Sequence, residues 1–231
     1  SIVLSDVLGD PLDMIASGPA YMDTSSKDDA FNIIKKYNLK LSDKALKLME
    51  IETPKELNNV ETVITGSVKN LCEGAAKACE KLGYKPIYLT DQLTCQAKEA
   101  GSFLASIAKS YQETNDSLAF IAGGETVVKL TGKGKGGRNQ ELALSAALGI
   151  ASLKDTAIFS IGSDGTDGPT DAAGGYVDGY TYDLLKQQDI NIYDVLSDND
   201  AYHALEKVNG LIITGATGTN VNDVAVVLIK R

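Results

Sequence analysis

The chain has 231 residues, 43% of them hydrophobic and 23% charged, with only 5 prolines, a composition that buries a substantial core and excludes extended disorder. Its 31 acidic against 22 basic side chains give a formal charge of -9, a field that repels polyanions and disfavours nucleic acid as a partner, so any anion site has to be local. A single histidine, His203, leaves no imidazole-rich zinc centre. No run approaches the roughly 18–20 apolar residues of a membrane span, and an odd count of 3 cysteines fits a reduced, cytoplasmic setting.

Apolar strand-like runs alternate with helix-periodic segments, which predicts an α/β fold. The run 2–4, directly after Ser1, reads as a buried strand at the chain start and so as a piece of a longer protein, the competing reading being removal of an initiator Met. Helical spacing over residues 26–37 and 42–51 predicts two helices, and residues 52–59, with Pro54 and an Asn pair, read as a linker. The boundary near residue 59 divides a first segment, 1–59, from a complete α/β domain, 60–231. Within the latter the expected order is strand 62–65, helix 70–82, strand 86–89, helix 96–111, and strands 118–121 and 126–130. Helix 140–151, strand 157–161, helices 180–187 and 200–207, and strands 211–214 and 224–229 complete it.

Three polar loops follow short strands, and ligands of open α/β sheets gather outside strand carboxyl ends, so the loops are expected to form one site. In residues 131–141, TGKGKGGRNQE, Gly136, Gly137 and two further glycines allow close backbone approach, while Lys133, Lys135 and Arg138 supply cations. Asn139 is placed to cap the following helix, whose free N–H groups favour an anion such as phosphate. The competing reading is a hairpin with solvated lysines; the order required of a Walker A loop is missing. In residues 162–175, GSDGTDGPTDAAGG, Asp164, Asp167 and Asp171 crowd three carboxylates that hard Mg²⁺ would neutralise, unless they merely make turns and caps. Residues 214–223, TGATGTNVND, offer Thr217, Thr219, Asn220 and Asp223 as a hydrogen-bonding cradle or a wide turn. Asp6 and Asp10 after the first strand are ligands or caps, residues 197–200 read as a capping sequence, and His203 and the cysteines carry no catalytic role.

SDVLGDPLDMIASGPA from Ser5, GGETVVKLTGKGKGGRNQE from Gly123, GSDGTDGPTDAAGG from Gly162, NDAYHAL from Asn199 and TGATGTNVND from Thr214, in this order, closely resemble the class II glycerate kinases, whose C-terminal region is the MOFRL domain. Ala216 and Ser163 depart from residues common in that family without touching the charged positions. The resemblance implies a three-layer α/β/α domain with a mixed sheet, preceded by the end of a Rossmann-like domain. It implies phosphorylation of D-glycerate by ATP with Mg²⁺, usually at the 2-hydroxyl, in a cleft of which this chain holds one wall. The missing N-terminal half of the same protein, including a lysine thought to assist catalysis, becomes the expected partner, with self-association as a further expectation.

On that basis Arg138 stabilises the transferring phosphoryl or holds the glycerate carboxylate, and Asp164, Asp167 and Asp171 are the metal candidates. Asp6 is the first candidate to orient the hydroxyl or take its proton. Lys133, Lys135, Gly136, Gly137, Asn139, Thr217, Thr219, Asn220 and Asp223 bind substrate or phosphate. A hydroxypyruvate reductase, a name the family has carried, is disfavoured because no dinucleotide fingerprint complete with its ribose-binding acid is read. A non-catalytic binding or assembly domain is the third reading.

Overall fold

The computed structural model describes residues 1–231 and divides into two compact units, residues 1–3 with 10–65 and residues 4–9 with 66–231. In the first unit, α1 (Lys27–Tyr37) starts at a capping box: the Ser26 hydroxyl accepts from the Asp29 amide, and the Asp29 carboxylate accepts from the Ser26 amide at 2.9 Å. The helix ends at Asn38 in the left-handed region, and α2 (Asp43–Met49) is capped by Ser42. Neither helix buries a residue, and Ile15 is the one apolar side chain of this unit that is buried. Strand β1 (Ile2–Leu4) pairs only with β2 (Val63–Gly66), and Ile2 is 84% exposed.

The second unit continues with α3 (Val68–Lys81), β3 (Lys85–Leu93), α4 (Ala97–Ser110), β4 (Leu118–Gly124), α5 (Arg138–Ile150), β5 (Thr156–Gly162) and β6 (Gly174–Asp178). Three short helices follow, α6 (Thr181–Gln187), α7 (Ile192–Asp198) and α8 (Ala201–Lys207), then β7 (Leu211–Ile212) and β8 (Asp223–Ile229). One six-stranded sheet runs in the order β3-β4-β8-β5-β6-β7, with β3 and β4 parallel and the remaining neighbours antiparallel. Helices cover both faces. Against one, Leu104, Leu142, Leu144 and Ile150 of α4 and α5 join Phe120, Ile158 and Val227 of the sheet. Against the other, Val68, Cys72 and Cys79 of α3 meet Ala119, Ile121, Val224 and Val226. Every residue of β4 is therefore buried, as expected of a strand covered on both sides. The three layers and the mixed sheet agree with the expected architecture.

Three elements differ from the sequence reading. Residues 126–130 are not a strand: Val127 makes one isolated bridge to Gln96, and its side chain and that of Leu130 stand exposed at 53% and 80%. The apolar run belongs to a loop wall, where periodicity carries no information about partners. Strand β6 begins within the glycine-aspartate loop, because Gly174 passes so close to the Ser160 carbonyl that no Cβ fits, and its glycine pair reads as a turn. Helix α7 falls where the sequence predicts no element. No helix is long and apolar enough to cross a membrane.

Candidate active site

The sheet register assembles the site. Gly124 at the end of β4 and Gly162 at the end of β5 both face Asp223, the first residue of β8, and Leu93 at the end of β3 faces Gly124. Carboxyl ends of three strands thus flank the amino end of a fourth, and the loops they carry open on one side of the sheet.

Arg138, the first residue of α5, reaches Asp223. Its Nε–H donates to Asp223 Oδ2 and Nη2 donates to Oδ1 at 3.0 Å, a side-on fork, while Nη1 lies 3.2 Å from Glu125 Oε1. The Asp223 side chain is 8% exposed against 34% for Arg138 and 46% for Glu125. Hydrogen bonding to Asp223 holds the guanidinium above its ordinary pKa against the opposing pull of burial. Asn222, in the left-handed region at φ 65°, donates through Nδ2 to Glu125 Oε2 at 3.2 Å and to the Asp6 carbonyl at 2.8 Å. Its Oδ1 is buried without a partner.

Two cavities flank Arg138 and Glu125. The smaller, ≈ 330 Å³, is lined by Asp6, Val7, Asp164, Asn220, Asn222 and Asp223 together with Glu125 and Arg138. The larger, ≈ 870 Å³, takes its walls from Leu8, Val127, Val128, Leu130 and the glycines 132, 134, 136 and 137, and shares with the first only Glu125 and Arg138.

The glycine-rich loop is fixed by its neighbours. Asn199 Oδ1 accepts from the amides of Thr131 at 2.7 Å and Gly132 at 3.0 Å, and Asp198 and Asp200 accept from those of Lys133 and Lys135. A Cβ on Gly132 or Gly134 would collide with residues 198–200, so these glycines serve the close packing of two chain segments as well as the cavity wall. The Asn199 amide also donates to Glu141 Oε2 at 3.2 Å, a carboxyl raised by burial and pulled back by that bond.

The start of α5 is already occupied. Asp167, 3% exposed, accepts from the amides of Asn139 and Gln140 at 3.1 and 2.8 Å and from Asn139 Nδ2 at 3.3 Å, while Asn139 Oδ1 accepts from the Ser160 hydroxyl. Desolvation pushes Asp167 up to about 6 despite these donors. Asn139 is therefore not the helix cap and lines neither cavity; the free N–H groups expected to hold phosphate are met by a carboxylate from the 162–175 loop.

Of the other expected residues, Asp6, Asp164, Asn220, Asp223 and Arg138 converge on the small cavity, and Gly136 and Gly137 line the large one. Lys133 and Lys135 line neither, and the Lys135 ammonium sits 4.0 Å from the Tyr202 ring centroid. Thr217 donates its hydroxyl to the Ser163 carbonyl, and neither it nor Thr219 lines either cavity. Asp223, expected to bind substrate, is held by Arg138.

The aspartate triad does not form: Asp164 accepts from the Thr166 amide of its own turn at 2.9 Å, Asp167 caps α5, and Asp171 accepts from the Tyr202 hydroxyl at 2.8 Å. No group of three His, Cys, Asp or Glu side chains is disposed to hold a metal ion. Asp171 is held below the usual carboxylate range by the Tyr202 hydrogen bond. The sequence reading missed Glu125 and Asn222, although Glu125 directly follows the Gly123-Gly124 strand end that marked the loop.

Glycines 132, 134 and 137 do carry the spacing of a dinucleotide loop, but β4 ends at Gly124, well upstream, and the helix N-terminus that would take a pyrophosphate is capped by Asp167. Asp155, an acid at a suitable separation, precedes β5 and so lies at the sheet end away from these loops.

Residues 118–223 match the MOFRL family model, and residues 1–50 match a domain of unknown function (DUF4147). A D-glycerate 2-kinase of Thermotoga maritima is 48% identical over 99% of this chain and 56% of its own length. A glycerate 2-kinase of Pyrococcus horikoshii is 41% identical over 99% of the chain and 55% of its own. The crystal structure of a glycerate kinase from Thermotoga maritima superposes with a TM-score of 0.95 at 48% identity, covering 99% of this chain and 56% of that one. The chain thus spans about half the length of the curated relatives it matches. The family model covers β4 through the first residue of β8, and with it most of both cavity walls.

Proposed function

We propose that the protein acts as a glycerate kinase, or as the part of one that carries this cavity pair, moving the γ-phosphoryl of ATP to a hydroxyl of D-glycerate, the 2-hydroxyl by likeness to the named relatives. The observation that carries the reading is that two unequal cavities share one fixed cation in their walls. A transfer between two substrates needs a cation that both can reach. The small polar cavity, ≈ 330 Å³, accommodates a three-carbon hydroxy acid, and the larger, ≈ 870 Å³ with apolar walls, is of a size for a nucleotide.

Catalysis here is positioning and charge neutralisation. Arg138, its side-on edge held by Asp223, keeps N–H groups on Nη1 and Nη2 that Asp223 does not take, and these neutralise negative charge on the transferred group or hold a carboxylate. The substrate hydroxyl oxygen forms the new P–O bond as the bridging oxygen leaves on ADP, and its proton passes to an acceptor. Asp6, exposed on the wall of the small cavity, is the acceptor this reading assigns. Asp164, Asp167 and Asp171 do not fit as a Mg²⁺ ligand set.

The exposed apolar side chains of the first unit, Ile2, Ile33, Tyr37, Leu48 and Ile51 among them, support association with the remainder of a longer chain or with a second copy. Three unpaired cysteines support a reducing, cytoplasmic setting. The test is ADP release from ATP and D-glycerate by the chain combined with its N-terminal half. NADH oxidation with hydroxypyruvate instead would establish a reductase, and ligand binding without turnover a non-catalytic domain.

A further inference from the structure

Arg138 is shared by more carboxylate than it neutralises. Asp6, Glu125, Asp164 and Asp223 all line the small cavity, against the single guanidinium of Arg138. Net charge therefore cannot draw an anion in; the anion must meet Arg138 directly. Of the five N–H donors of a guanidinium, Asp223 takes Nε–H and one on Nη2, and Glu125 faces Nη1. What remains is three N–H groups, two on Nη1 and one on Nη2, with the Glu125 carboxylate beside Nη1 as a charge partner at 3.2 Å.

The two carboxylates are not equivalent. Asp223 is 8% exposed, is bonded through both oxygens, and opens a strand paired on both sides, so its departure would strand a buried charge. Glu125 is 46% exposed, holds Arg138 through one oxygen at 3.2 Å and receives Asn222 Nδ2 on the other at 3.2 Å. It can swing into water at little cost, because an exposed ion pair of this kind contributes little and hydration replaces it.

We infer that Glu125 is an intramolecular competitor for Arg138: it lies against Nη1 of the guanidinium, and a carboxylate or phosphoryl oxygen pair binds by displacing it. Asp223 sets the direction of the fork and Glu125 sets how tightly an anion is held. The kinase reading enters only in naming the anion, as the glycerate carboxylate or the transferred phosphoryl. By lowering ground-state affinity, the displaced carboxylate limits how long a bound anion stays.

Isothermal titration of inorganic phosphate, and separately of D-glycerate, into the wild-type chain, Glu125→Gln, Arg138→Ala and the double variant tests this. Glutamine keeps an oxygen for Asn222 and the backbone amide that donates to the Leu93 carbonyl at 2.8 Å, so the loop is retained while the charge is removed. Glu125→Gln should bind phosphate about three- to tenfold more tightly, the range of an ion pair between surface and partial burial. The gain should vanish when Arg138 is also alanine. A gain shared by D-glycerate identifies the carboxylate as a displacing group, and a gain for phosphate alone identifies the phosphoryl. Equal or weaker binding by Glu125→Gln, no binding by either protein, or a gain that survives in the double variant overturns the inference. Failure of the kinase reading would show separately, as absent turnover with the phosphate gain intact.

Discussion

Asp167 gives the sharpest quantitative test of how the site is built. Its carboxylate is buried at the start of α5, and desolvation raises its pKa from 3.8 to about 6 even though two amides and the Asn139 side chain donate to it. In the folded protein the proton is therefore held to higher pH than in the unfolded chain. With a raised carboxyl pKa the associated stability is complete below about 3.8, and it is lost as pH rises through about 6. The interval of about two pKa units, at about 1.4 kcal/mol each, makes the loss about 3 kcal/mol. Asp167→Asn imitates the protonated acid and removes the titration. Urea unfolding of both proteins, followed by circular dichroism in steps from acid to neutral pH, should show the variant gaining about 3 kcal/mol relative to the wild type as pH rises from about 4 to about 7. Parallel stability curves, or a difference of the opposite sign, would mean that the donors at the helix start outweigh burial and that the reasoning is wrong.

Asn199→Ala removes the acceptor of the Thr131 and Gly132 amides, leaves Glu141 without its amide donor, and puts alanine at a φ of 57°; about 3 kcal/mol of stability should be lost, with faster amide exchange over residues 131–137. Unchanged exchange in that loop would contradict the fixed-loop description. The purified chain should self-associate through the first unit, whose two helices bury no residue; a monodisperse monomer in sedimentation velocity would refute this.

Much of the second unit was legible because its chemistry is local. Helical periodicity located α3, α4 and α5 within about two residues, and unbroken apolar runs located β4, β5 and β8. The 126–130 run misled because an apolar loop wall and a short strand have the same composition, and only partners distinguish them. Gly174 and Gly175 misled for the converse reason: they are glycine because β5, α5 and α8 pass too near for side chains, which is a tertiary fact. In the site, charge and loop position identified Arg138, Asp6, Asp164, Asn220 and the glycines of the large cavity. The division of labour among aspartates was hidden, since Asp164, Asp167 and Asp171 are alike in sequence and differ only in whether a turn, a helix end or a tyrosine takes the carboxylate. Both lysines were misplaced because the loop turns its glycine faces to the cavity and ties its backbone to residues 198–200.

The same register explains why the cation is arginine. Asp223 is bonded into the sheet between Gly124 and Gly162, so its carboxylate leaves from a position fixed by two ladders rather than from a free loop. A planar fork can engage both oxygens of that carboxylate along one edge and still offer donors along another, whereas an ammonium is a point charge that satisfies Asp223 or a ligand but cannot fix the angle between them. Arg138→Lys should therefore keep the charge and lose the alignment. Under the proposed kinase reading its turnover should fall about ten- to a hundredfold, and that of Arg138→Ala about a hundredfold or more, the scale of a lost electrostatic stabiliser. The glycerate KM should rise less in the lysine variant than in the alanine variant, since attraction survives without direction. Wild-type turnover in Arg138→Lys would show that charge alone suffices, and that the fork held by Asp223 has no part in the transfer.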